Sequence, residues 1–582
     1  MMIYSREQQW QILEDELKAE VHEFDTKLKT SAISLMEKGE IFTAQFLSFS
    51  ASGEMRVRFS LKRPIPRKGE YLYCMTLHKE LRNHKNWGSR TYGDLVKDKT
   101  NQTEAICNWI SHSNDPRFMI AGFIGIDKDF ADWIVDAPGV VLILGPNRPP
   151  YEYIANLQTL TLNRTSKALS SVLDVTYTKK DWTPVLLNKQ KSISEFLYAQ
   201  LDMYPALILQ GPPGTGKTHN VSQLVADLCN LGFSVLVTAL TNRALMEIAE
   251  KKPLSKLLSL EKVYKTKITI DEEKEMPLLQ LEKNITPKKG CITLSTFYIT
   301  SGFATNLPTE CPFDYVIMDE ASQALLPMIA AVRLLGKHCI FVGDIKQLPP
   351  ITMIKASKIK EHNYREFIDG LKTITGSSLF PIFQLTDSFR LTDRGAKYTS
   401  IFYRNNLCSK AKKQSFDTFG AFFLHCQGGP TLLMTDMELG NLRDNAMLNL
   451  ALSVITLIHS KDTKCSIAVL TCMKETVRAL QGIINSKISS SKILIDTVAR
   501  VQGLTTDICI YVIPNTHYLR TLEPSLFNVA TSRAKRQTII IADKEILGYT
   551  QMNIEVRNYL QSLYSDFSFY LPYNKEQSKM IE

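Results

Sequence analysis

The hydrophobic and polar positions divide the chain into segments of different periodicity. Between residues 5 and 38, apolar side chains recur every three or four positions among charged ones, which predicts a helical stalk over 1–39. Short alternating runs separated by turn-forming sequences follow, and they predict a small β-barrel or sandwich over 40–163. The predicted strands are EIFTAQFLSFS, EMRVRFSL, EYLYCMTL, RFMIAGFIGI and GVVLILG.

A different alternation begins after the barrel. Residues 164–175 return to helical spacing, and up to residue 378 short buried runs alternate with helix-like segments. This pattern predicts a parallel α/β domain over 164–378 that binds its ligands at the carboxyl ends of the strands. The interval of about 250–289 is charged and lacks strand-like runs, so we expect a helical insertion there. The predicted strands are ALILQ, SVLVTAL, CITLST, DYVIMDE and CIFVGD.

The same alternation recurs over residues 379–567 and predicts a second α/β domain, followed by a tail over 568–582. The fold class predicted for the whole chain is therefore α/β, with two parallel-sheet domains behind a helical stalk and a small β-barrel. The strands predicted in the second domain are TLLMTD, SIAVLT, ILIDTVA, ICIYVI and TIIIAD.

Composition narrows the class of protein. Of the 582 residues 44% are hydrophobic and 22% are charged, as in ordinary globular proteins. The sequence has no apolar leader and no apolar stretch of membrane-spanning length, and its eleven cysteines are scattered. We therefore expect a soluble, intracellular protein without a membrane partner. The formal net charge of +10 is compatible with a polyanionic partner.

The clearest chemical signal is the string GPPGTGKT at residues 211–218. It lies between the strand-like run ALIL and a segment of helical spacing, which is the context of a phosphate-binding loop. The glycines let the backbone turn so that N–H groups face phosphate oxygens. In such a loop Lys217 reaches the β- and γ-phosphates and the Thr218 hydroxyl ligates Mg²⁺. The predicted cofactors are therefore ATP and Mg²⁺.

Two further strand ends carry polar side chains. The run DYVIMDE ends in Asp319, placed to hold the magnesium, and Glu320, placed to orient and deprotonate the attacking water. The string FVGDIKQLPP places Asp344 and Gln347 near the γ-phosphate, where Gln347 can polarise the water or sense the lost phosphate. Together with the loop at 211–218, these residues predict a nucleoside triphosphatase.

The order of several strings in the chain resembles that of a known family. The strings GPPGTGKT, DEASQ, GDIKQLPP, DSFRLT, VQGLTTD and NVATSRAK occur in the order found in superfamily 1 helicases. They look most like the up-frameshift branch, superfamily 1B. That branch includes the nonsense-mediated-decay helicase, the immunoglobulin-mu-binding helicase and the nidoviral replicative helicases. The resemblance implies that both α/β domains are RecA-like and that ATP binds in the cleft between them.

The resemblance also assigns residues on the matching strings. It implies that Arg390 and Arg533 are arginine fingers that meet the charge of the γ-phosphate, a task for which a rigid guanidinium fork is suited. The catalytic residues that it implies are Lys217, Asp319, Glu320, Gln347, Arg390 and Arg533. Those that bind the metal are Thr218 and Asp319. Those that bind the nucleotide are Gln190, Gly211, Pro212, Pro213, Gly214, Thr215, Gly216, Lys217, Thr218, Phe389 and Gly503.

The resemblance also implies that residues on three strings contact a single strand of nucleic acid. Hydroxyls and amides suit this task because phosphate contacts position a backbone without reading its sequence. Capping of strand ends is an alternative role for those in the first α/β domain. The implied residues are Thr241, Asn242, Ser295, Thr296, Thr497 and Gln502.

The sequence departs from the family pattern at two positions. Ser388 stands where the family has glutamine, and Thr505 stands where it has a glutamate associated with the ribose of the nucleotide. Discrimination between sugars is therefore left open, whereas the residues for the phosphates and the metal are all present.

The expected function is that of an ATP-dependent helicase that moves on single strands, 5′ to 3′ by resemblance, and opens tailed duplexes. Two alternatives stay open. One is a single-strand translocase or nucleoprotein remodeler that does not separate strands, and the other is an ATP-switched nucleic-acid-binding scaffold. The sequence does not choose between RNA and DNA, and it names no protein partner.

Overall fold

The computed structural model describes residues 3–572 apart from 78–88, 138–139, 177–182, 189, 308, 413–415, 419, 439, 489, 491 and 502. The predicted site residue Gln502 therefore lies outside the described residues, as does most of the predicted tail.

Two helices, α1 (Arg6–Lys29) and α2 (Ala32–Glu37), form the stalk. A capping box at Ser5 begins α1, and the extended backbone of Thr30 ends it. The helical segment predicted over 5–38 is thus divided into two helices at Thr30 and Ser31, because two hydroxyl residues favour a helix end here over a further turn.

A closed barrel follows the stalk, with strand order β1-β2-β5-β4-β3-β6 and antiparallel pairing throughout. The strand Lys99–His112 was not predicted because its inward positions are small, including Thr103, Ala105 and Cys107, so it lacks a run of large apolar residues. The strands are β1 (Phe42–Phe49), β2 (Met55–Ser60), β3 (Tyr71–Leu77), β4 (Lys99–His112), β5 (Phe118–Ile124) and β6 (Val141–Gly145). The short helices α3 (Tyr92–Lys97) and α4 (Lys128–Val135) connect them.

Two helices return from the barrel to the first α/β domain. They are α5 (Tyr151–Leu162), which the sequence did not reveal, and α6 (Lys167–Leu173), which was predicted. Their buried leucines share one hydrophobic core with Ile12 and Leu13 of α1. The stalk and the first domain are therefore packed together.

The first α/β domain contains a parallel sheet with strand order β11-β10-β12-β9-β13-β14-β8-β15-β7. Each predicted strand of this domain is present. The strands are β7 (Val185–Leu187), β8 (Ala206–Gln210), β9 (Val235–Ala239), β10 (Val263–Lys265), β11 (Gln280–Leu281), β12 (Ile292–Thr296), β13 (Phe313–Met318), β14 (Gly336–Gly343) and β15 (Ile382–Leu385). The helices are α7 (Ile193–Met203), α8 (Lys217–Asn230), α9 (Asn242–Ala249), α10 (Ser255–Ser259), α11 (Ile270–Glu275), α12 (Phe297–Thr305), α13 (Leu326–Leu335), α14 (Ala356–Glu361), α15 (Arg365–Ile368) and α16 (Gly370–Gly376).

The segment 250–289 is not the helical insertion that was expected. It adds β10 and β11 to the edge of the first sheet, with the short helix α11 between them. The side chain of Lys265, in β10, is 1% exposed and forms a 2.7 Å ion pair with Glu272 of α11. A strand of three residues that buries a lysine has no hydrophobic pattern to identify it.

The second α/β domain also has a parallel sheet, in the order β20-β19-β21-β22-β18-β23. The strands are β18 (Gly429–Thr435), β19 (Ile467–Thr471), β20 (Ile493–Thr497), β21 (Thr506–Ile513), β22 (Ala534–Asp543) and β23 (Ser568–Tyr570). A short parallel pair, β16 (Asp387–Ser388) and β17 (Cys408–Ser409), precedes them. The helices are α17 (Asp393–Thr399), α18 (Asn445–Lys461), α19 (Lys474–Lys487), α20 (Tyr518–Thr521), α21 (Pro524–Thr531) and α22 (Ile554–Asp566).

Two boundaries of this domain differ from the prediction. β15 pairs with β7 and β8 of the first sheet, so the change of sheet comes after residue 385 and not at 379. β23 pairs with β18, so residues 568–570 belong to the second sheet and not to a tail. The five strands that were predicted for this domain are all present.

Among the described residues, every helix is too short or too polar to span a bilayer. All eleven cysteines lie in the described ranges, and each is a free thiol.

Candidate functional site

The phosphate loop connects β8 to α8. Gly214 and Gly216 have φ values of +74° and +73°, in the left-handed region that favours glycine. Gly216 is the N-cap of α8, so the first N–H groups of that helix face the loop. A Cβ atom on Gly211 would lie 2.1 Å from the Lys217 side chain. The glycines are therefore required by backbone geometry and by close approach.

Lys217 is folded back on the loop, where its ammonium donates a hydrogen bond to the carbonyl oxygen of Gly211. Burial lowers the pKa of Lys217, while the nearby carboxylates Asp344 and Asp319 act in the opposite direction. The ammonium therefore lies partly buried in the cleft, where its attraction to an anion is stronger than in bulk water.

The two acids follow β13. Burial raises the pKa of Asp319, and burial together with Asp319 raises the pKa of Glu320 to about 8. Glu320 adopts a left-handed backbone with φ 55°, and Asp319 accepts a 2.9 Å hydrogen bond from its N–H. The Glu320 Oε2 atom is buried, and no described residue donates to it. Its position suits a group that accepts a proton from a bound water.

The donors for a magnesium ion fit its chemistry. Asp319 and Thr218 line the same cleft beside the phosphate loop and offer oxygen atoms, which Mg²⁺ prefers. The described residues contain no group of three or more histidine, cysteine or acidic side chains that could form a complete metal site. Mg²⁺ is commonly held by one or two protein oxygens while the substrate phosphates supply the rest, and Asp319 and Thr218 offer two such oxygens.

Gln347 is oriented by Asp344. The Nε2 atom of Gln347 donates a 2.7 Å hydrogen bond to Asp344 Oδ2, and Gln347 is 9% exposed. A carboxylate only accepts hydrogen bonds, so the amide nitrogen must face it. The amide oxygen of Gln347 is left for a partner in the cleft, such as a water molecule.

The segment DSFR lies directly on the phosphate loop. The Phe389 N–H donates to Gly214 O at 2.8 Å, and the Ser388 hydroxyl donates to Pro213 O at 2.9 Å. Ser388, which replaces the glutamine of the family pattern, thus fastens this segment to the loop. Arg390, the next residue after this contact, lines the cleft.

Arg390 and Arg533 both face the pocket of Lys217. Arg533 is 2% exposed, its Nε donates to Val529 O at 2.8 Å, and no described residue accepts from its Nη2. Burial, reinforced by the nearby Arg533, lowers the pKa of Arg390 to about 9. Both arginines also act to lower the pKa of Lys217. Three cations therefore converge on one cleft, where they would act together on an anionic ligand.

Of the residues predicted to bind the base and sugar of the nucleotide, some line the cleft and one does not. The Phe389 side chain is 63% exposed, lies at the cleft near Gly216 and is free to stack on a base. Gly503 also lines the cleft, with φ +82°, and Thr505 lies beside it. Gln190 is exposed after β7 and is not part of the cleft lining, so the structure does not bring it to the loop.

The residues predicted for nucleic acid have different environments. Thr241, Asn242 and Thr296 line the cleft. Thr241 also caps α9, because its hydroxyl accepts a 3.1 Å hydrogen bond from Ala244 N–H, so capping and strand contact are not exclusive. Ser295 is completely buried against Thr266, and its hydroxyl is not presented to a strand. Thr497 is buried at the end of β20 and is outside the lining.

Sequence reasoning did not identify the barrel residues that line the cleft. A cleft of about 2150 Å³ runs from the phosphate loop to the barrel, whose part of the lining includes Lys68, Tyr71 and Arg148. Short-range patterns in the sequence do not identify these residues, because they are scattered among strands and turns.

The barrel is attached to both α/β domains. The Asp271 carboxylate of α11 accepts a 2.9 Å hydrogen bond from Gly125 N–H of the barrel, and Ile270 N–H donates to Ile126 O at 3.1 Å. From the second domain, Arg500 donates to the barrel carbonyl of Gly69 at 3.0 Å. The cleft is therefore bounded by the barrel and by both domains.

Comparison with known proteins agrees with this architecture. Models of AAA domains match residues 199–353 and residues 395–545. The DNA replication ATP-dependent helicase/nuclease DNA2 of Saccharomyces cerevisiae is 32% identical over 181 residues, 30% of this chain and 12% of that protein. The Regulator of nonsense transcripts 1 homolog of Drosophila melanogaster is 24% identical over 421 residues, 62% of this chain and 35% of that protein.

The helicase of an arterivirus, nonstructural protein 10, aligns with 83% of this chain and 79% of its own, at 13% identity and a TM-score of 0.36. The chain spans only 12% and 35% of the yeast and fly relatives. The two AAA domain matches, the yeast and fly relatives and the ordered set of motifs lead to one conclusion: the chain belongs to the up-frameshift-like family of superfamily 1 helicases.

Proposed function

We propose that this protein is a nucleic-acid-stimulated ATPase that moves along single strands and separates duplexes. The observation that carries the proposal is the convergence of Lys217, Arg390 and Arg533 on one cleft beside Asp319 and Glu320. These groups match the needs of phosphoryl transfer, in which cations meet the charge of the transferring phosphate and a carboxylate directs the attacking water.

In the proposed reaction the triphosphate lies along the phosphate loop, with Lys217 and the two arginines around its outer phosphates. Thr218 and Asp319 would hold Mg²⁺, which, when bound, neutralises charge on the β- and γ-phosphate oxygens. Glu320 takes a proton from the attacking water, and Gln347 orients that water through its amide oxygen. Phe389 stacks on the base. Gly503 approaches the nucleotide, whereas Gln190 would have to move to reach it.

Movement would follow from the sharing of one nucleotide by two domains. ATP draws the domains together because both supply cations to its phosphates, and hydrolysis with phosphate release removes that attraction. A strand held along Thr241, Asn242 and Thr296, under the barrel, would then advance as the two domains alternate their grip. We infer 5′-to-3′ movement from family membership alone.

The experiment is ATP hydrolysis measured with matched RNA and DNA oligonucleotides, followed by strand displacement on 5′-tailed and 3′-tailed duplexes. We expect stimulation by single strands, its loss in Lys217→Ala, and displacement only from the 5′ tail. Stimulated hydrolysis without displacement would indicate a translocase. Turnover near zero at saturating single strand would contradict the proposal and indicate a scaffold that ATP only switches.

A further inference from the structure

A buried hydrogen-bonded cluster joins the two α/β domains next to the nucleotide cleft. The Tyr403 hydroxyl donates a 2.7 Å hydrogen bond to Asp344 Oδ2. The Asn528 amide donates to the Tyr403 oxygen at 2.8 Å and to the carbonyl oxygen of Lys346 at 2.9 Å. Tyr403 and Asn528 are buried in the second domain, whereas Asp344 and Lys346 follow β14 of the first. The cluster therefore exists only while the domains are in contact.

Asp344 is the centre of this cluster and makes a full set of contacts. Its Oδ1 atom accepts from Gln210 Nε2 at 2.6 Å and from Lys346 N–H at 3.0 Å. Its Oδ2 atom accepts from Gln347 Nε2 at 2.7 Å as well as from Tyr403. Tyr403 and Gln347 thus share one carboxylate oxygen, and a change in one of these hydrogen bonds alters the orientation of the other donor.

The Tyr403 hydroxyl is suited to donate in this way. Burial, with the negative charge of Asp344 close by, raises the pKa of Tyr403, so the hydroxyl keeps its proton. Its contact with Asp344 crosses the domain interface. The nearby Tyr398 differs, because its hydroxyl donates at 2.6 Å to Asp566 within the second domain. A tyrosine that served only the core of the second domain would not need a hydrogen-bond acceptor in the first domain.

We propose that Tyr403 is a positioning residue that holds Asp344, and through it Gln347, in the orientation for hydrolysis when the second domain is closed on the first. When the domains separate, Tyr403 and Asn528 move away with the second domain, and Asp344 Oδ2 loses one of its two donors. Gln347 is then less constrained, so hydrolysis is confined to the closed state. This inference rests on the proposed ATPase function.

The test compares Tyr403→Phe with Tyr398→Phe, two substitutions that each remove one buried hydroxyl from the second domain. We expect Tyr403→Phe to lower kcat of the strand-stimulated ATPase about tenfold while KM for ATP stays within about twofold, the signature of a contact made in the transition state. Tyr398→Phe should leave kcat near the wild-type value. Thermal unfolding of both variants measures any loss of stability.

Asn528→Ala is a second variant. It tests the positioning role of Tyr403 if Tyr403→Phe proves much less stable than Tyr398→Phe. It removes the donor that orients the Tyr403 hydroxyl, and we expect the same selective fall in kcat. A kcat equal to wild type in Tyr403→Phe, an equal loss in Tyr398→Phe, or a fall in kcat accompanied by a raised KM would overturn the inference. A wild-type protein without stimulated hydrolysis would instead overturn the proposed function, and the inference with it.

Discussion

The main-chain N–H of Phe389 donates a 2.8 Å hydrogen bond to the carbonyl oxygen of Gly214. The segment that carries Arg390 is therefore fastened to the phosphate loop itself. The contact is close, because a Cβ atom built on Gly214 would lie 2.5 Å from Arg390 Cβ and 2.7 Å from Ser388 Oγ. The backbone of the loop and the position of one cation are thus fixed together.

Gly214→Ala should raise the Kd for ATP by about tenfold or more, because the added methyl group displaces Arg390 and Ser388 at a cost of about 1–3 kcal/mol. Gly232→Ala is the matched control. Its φ of +89° imposes a comparable backbone strain, but no atom lies within 4 Å of the added Cβ. Calorimetric titration with ATP measures both variants. An equal loss of ATP affinity in the two variants would show that backbone strain alone matters and that the contact with Arg390 and Ser388 does not.

Arg533→Lys should lower kcat by about 10³-fold, since a lysine keeps the charge but loses the rigid fork of donors. Arg557→Lys serves as the control, because Arg557 donates to the carbonyl oxygen of Thr550 at 3.0 Å and is not part of the cleft lining. Steady-state phosphate release at saturating ATP and single strand gives both values. A kcat within about twofold of wild type in Arg533→Lys would exclude a finger role.

Glu320→Gln should abolish turnover while ATP still binds, because the amide keeps the shape of the side chain but cannot take a proton from water. A loss of at least about 10²-fold in kcat is expected. Glu247→Gln tests the specificity of the effect, since Glu247 is an exposed carboxylate of the same cleft that contributes to the raised pKa of Glu320. Retained turnover in Glu320→Gln would remove the assignment of this residue as the base.

Glu20 on α1 should make the stability of the protein depend on pH. Burial, together with the charges of Glu16 and Glu23, raises the pKa of Glu20 from its ordinary value of 4.5 to about 7. The folded state therefore binds this proton more tightly than the unfolded state, and stability falls as the pH rises from about 4.5 to about 7. The charge of Glu20 also contributes to the raised pKa values of Tyr151, Tyr153 and Tyr298.

Glu20→Gln should relieve this penalty, by about 1 kcal/mol after allowance for partial exposure. We expect the Tm to rise by about 1–3 °C at pH 8, with the gain shrinking as the pH falls to 5. Glu37→Gln, at an exposed position of α2, is the control. A gain in Tm that is the same at both pH values would show that the effect does not come from ionisation of Glu20.

The sequence predicted the parts of the site that lie at strand ends. Lys217, Asp319 and Gln347 follow short apolar runs that favour buried strands, and parallel strands bring their carboxyl ends to one edge of a sheet. The closeness of these three residues therefore follows from the local hydrophobic pattern and from the parallel arrangement of the strands.

Other parts depend on tertiary contacts that no local pattern records. The strand β4 has small inward residues, and β10 has three residues with a buried lysine, so neither has a hydrophobic signature. The hydrogen bond from Arg500 to Gly69 joins residues that are 431 positions apart in the chain. Ser295 belongs to a string that resembles a nucleic-acid motif, yet packing in the first sheet buries it.

The most direct test of the account is the structure of the protein with Mg²⁺, ADP and a planar fluoride analogue of the transferring phosphate. We predict that the Lys217 ammonium and the guanidinium groups of Arg390 and Arg533 all lie within hydrogen-bond distance of the nucleotide and its analogue. Arginines that remain turned away from a fully occupied site would contradict the claim that two domains share one triphosphate.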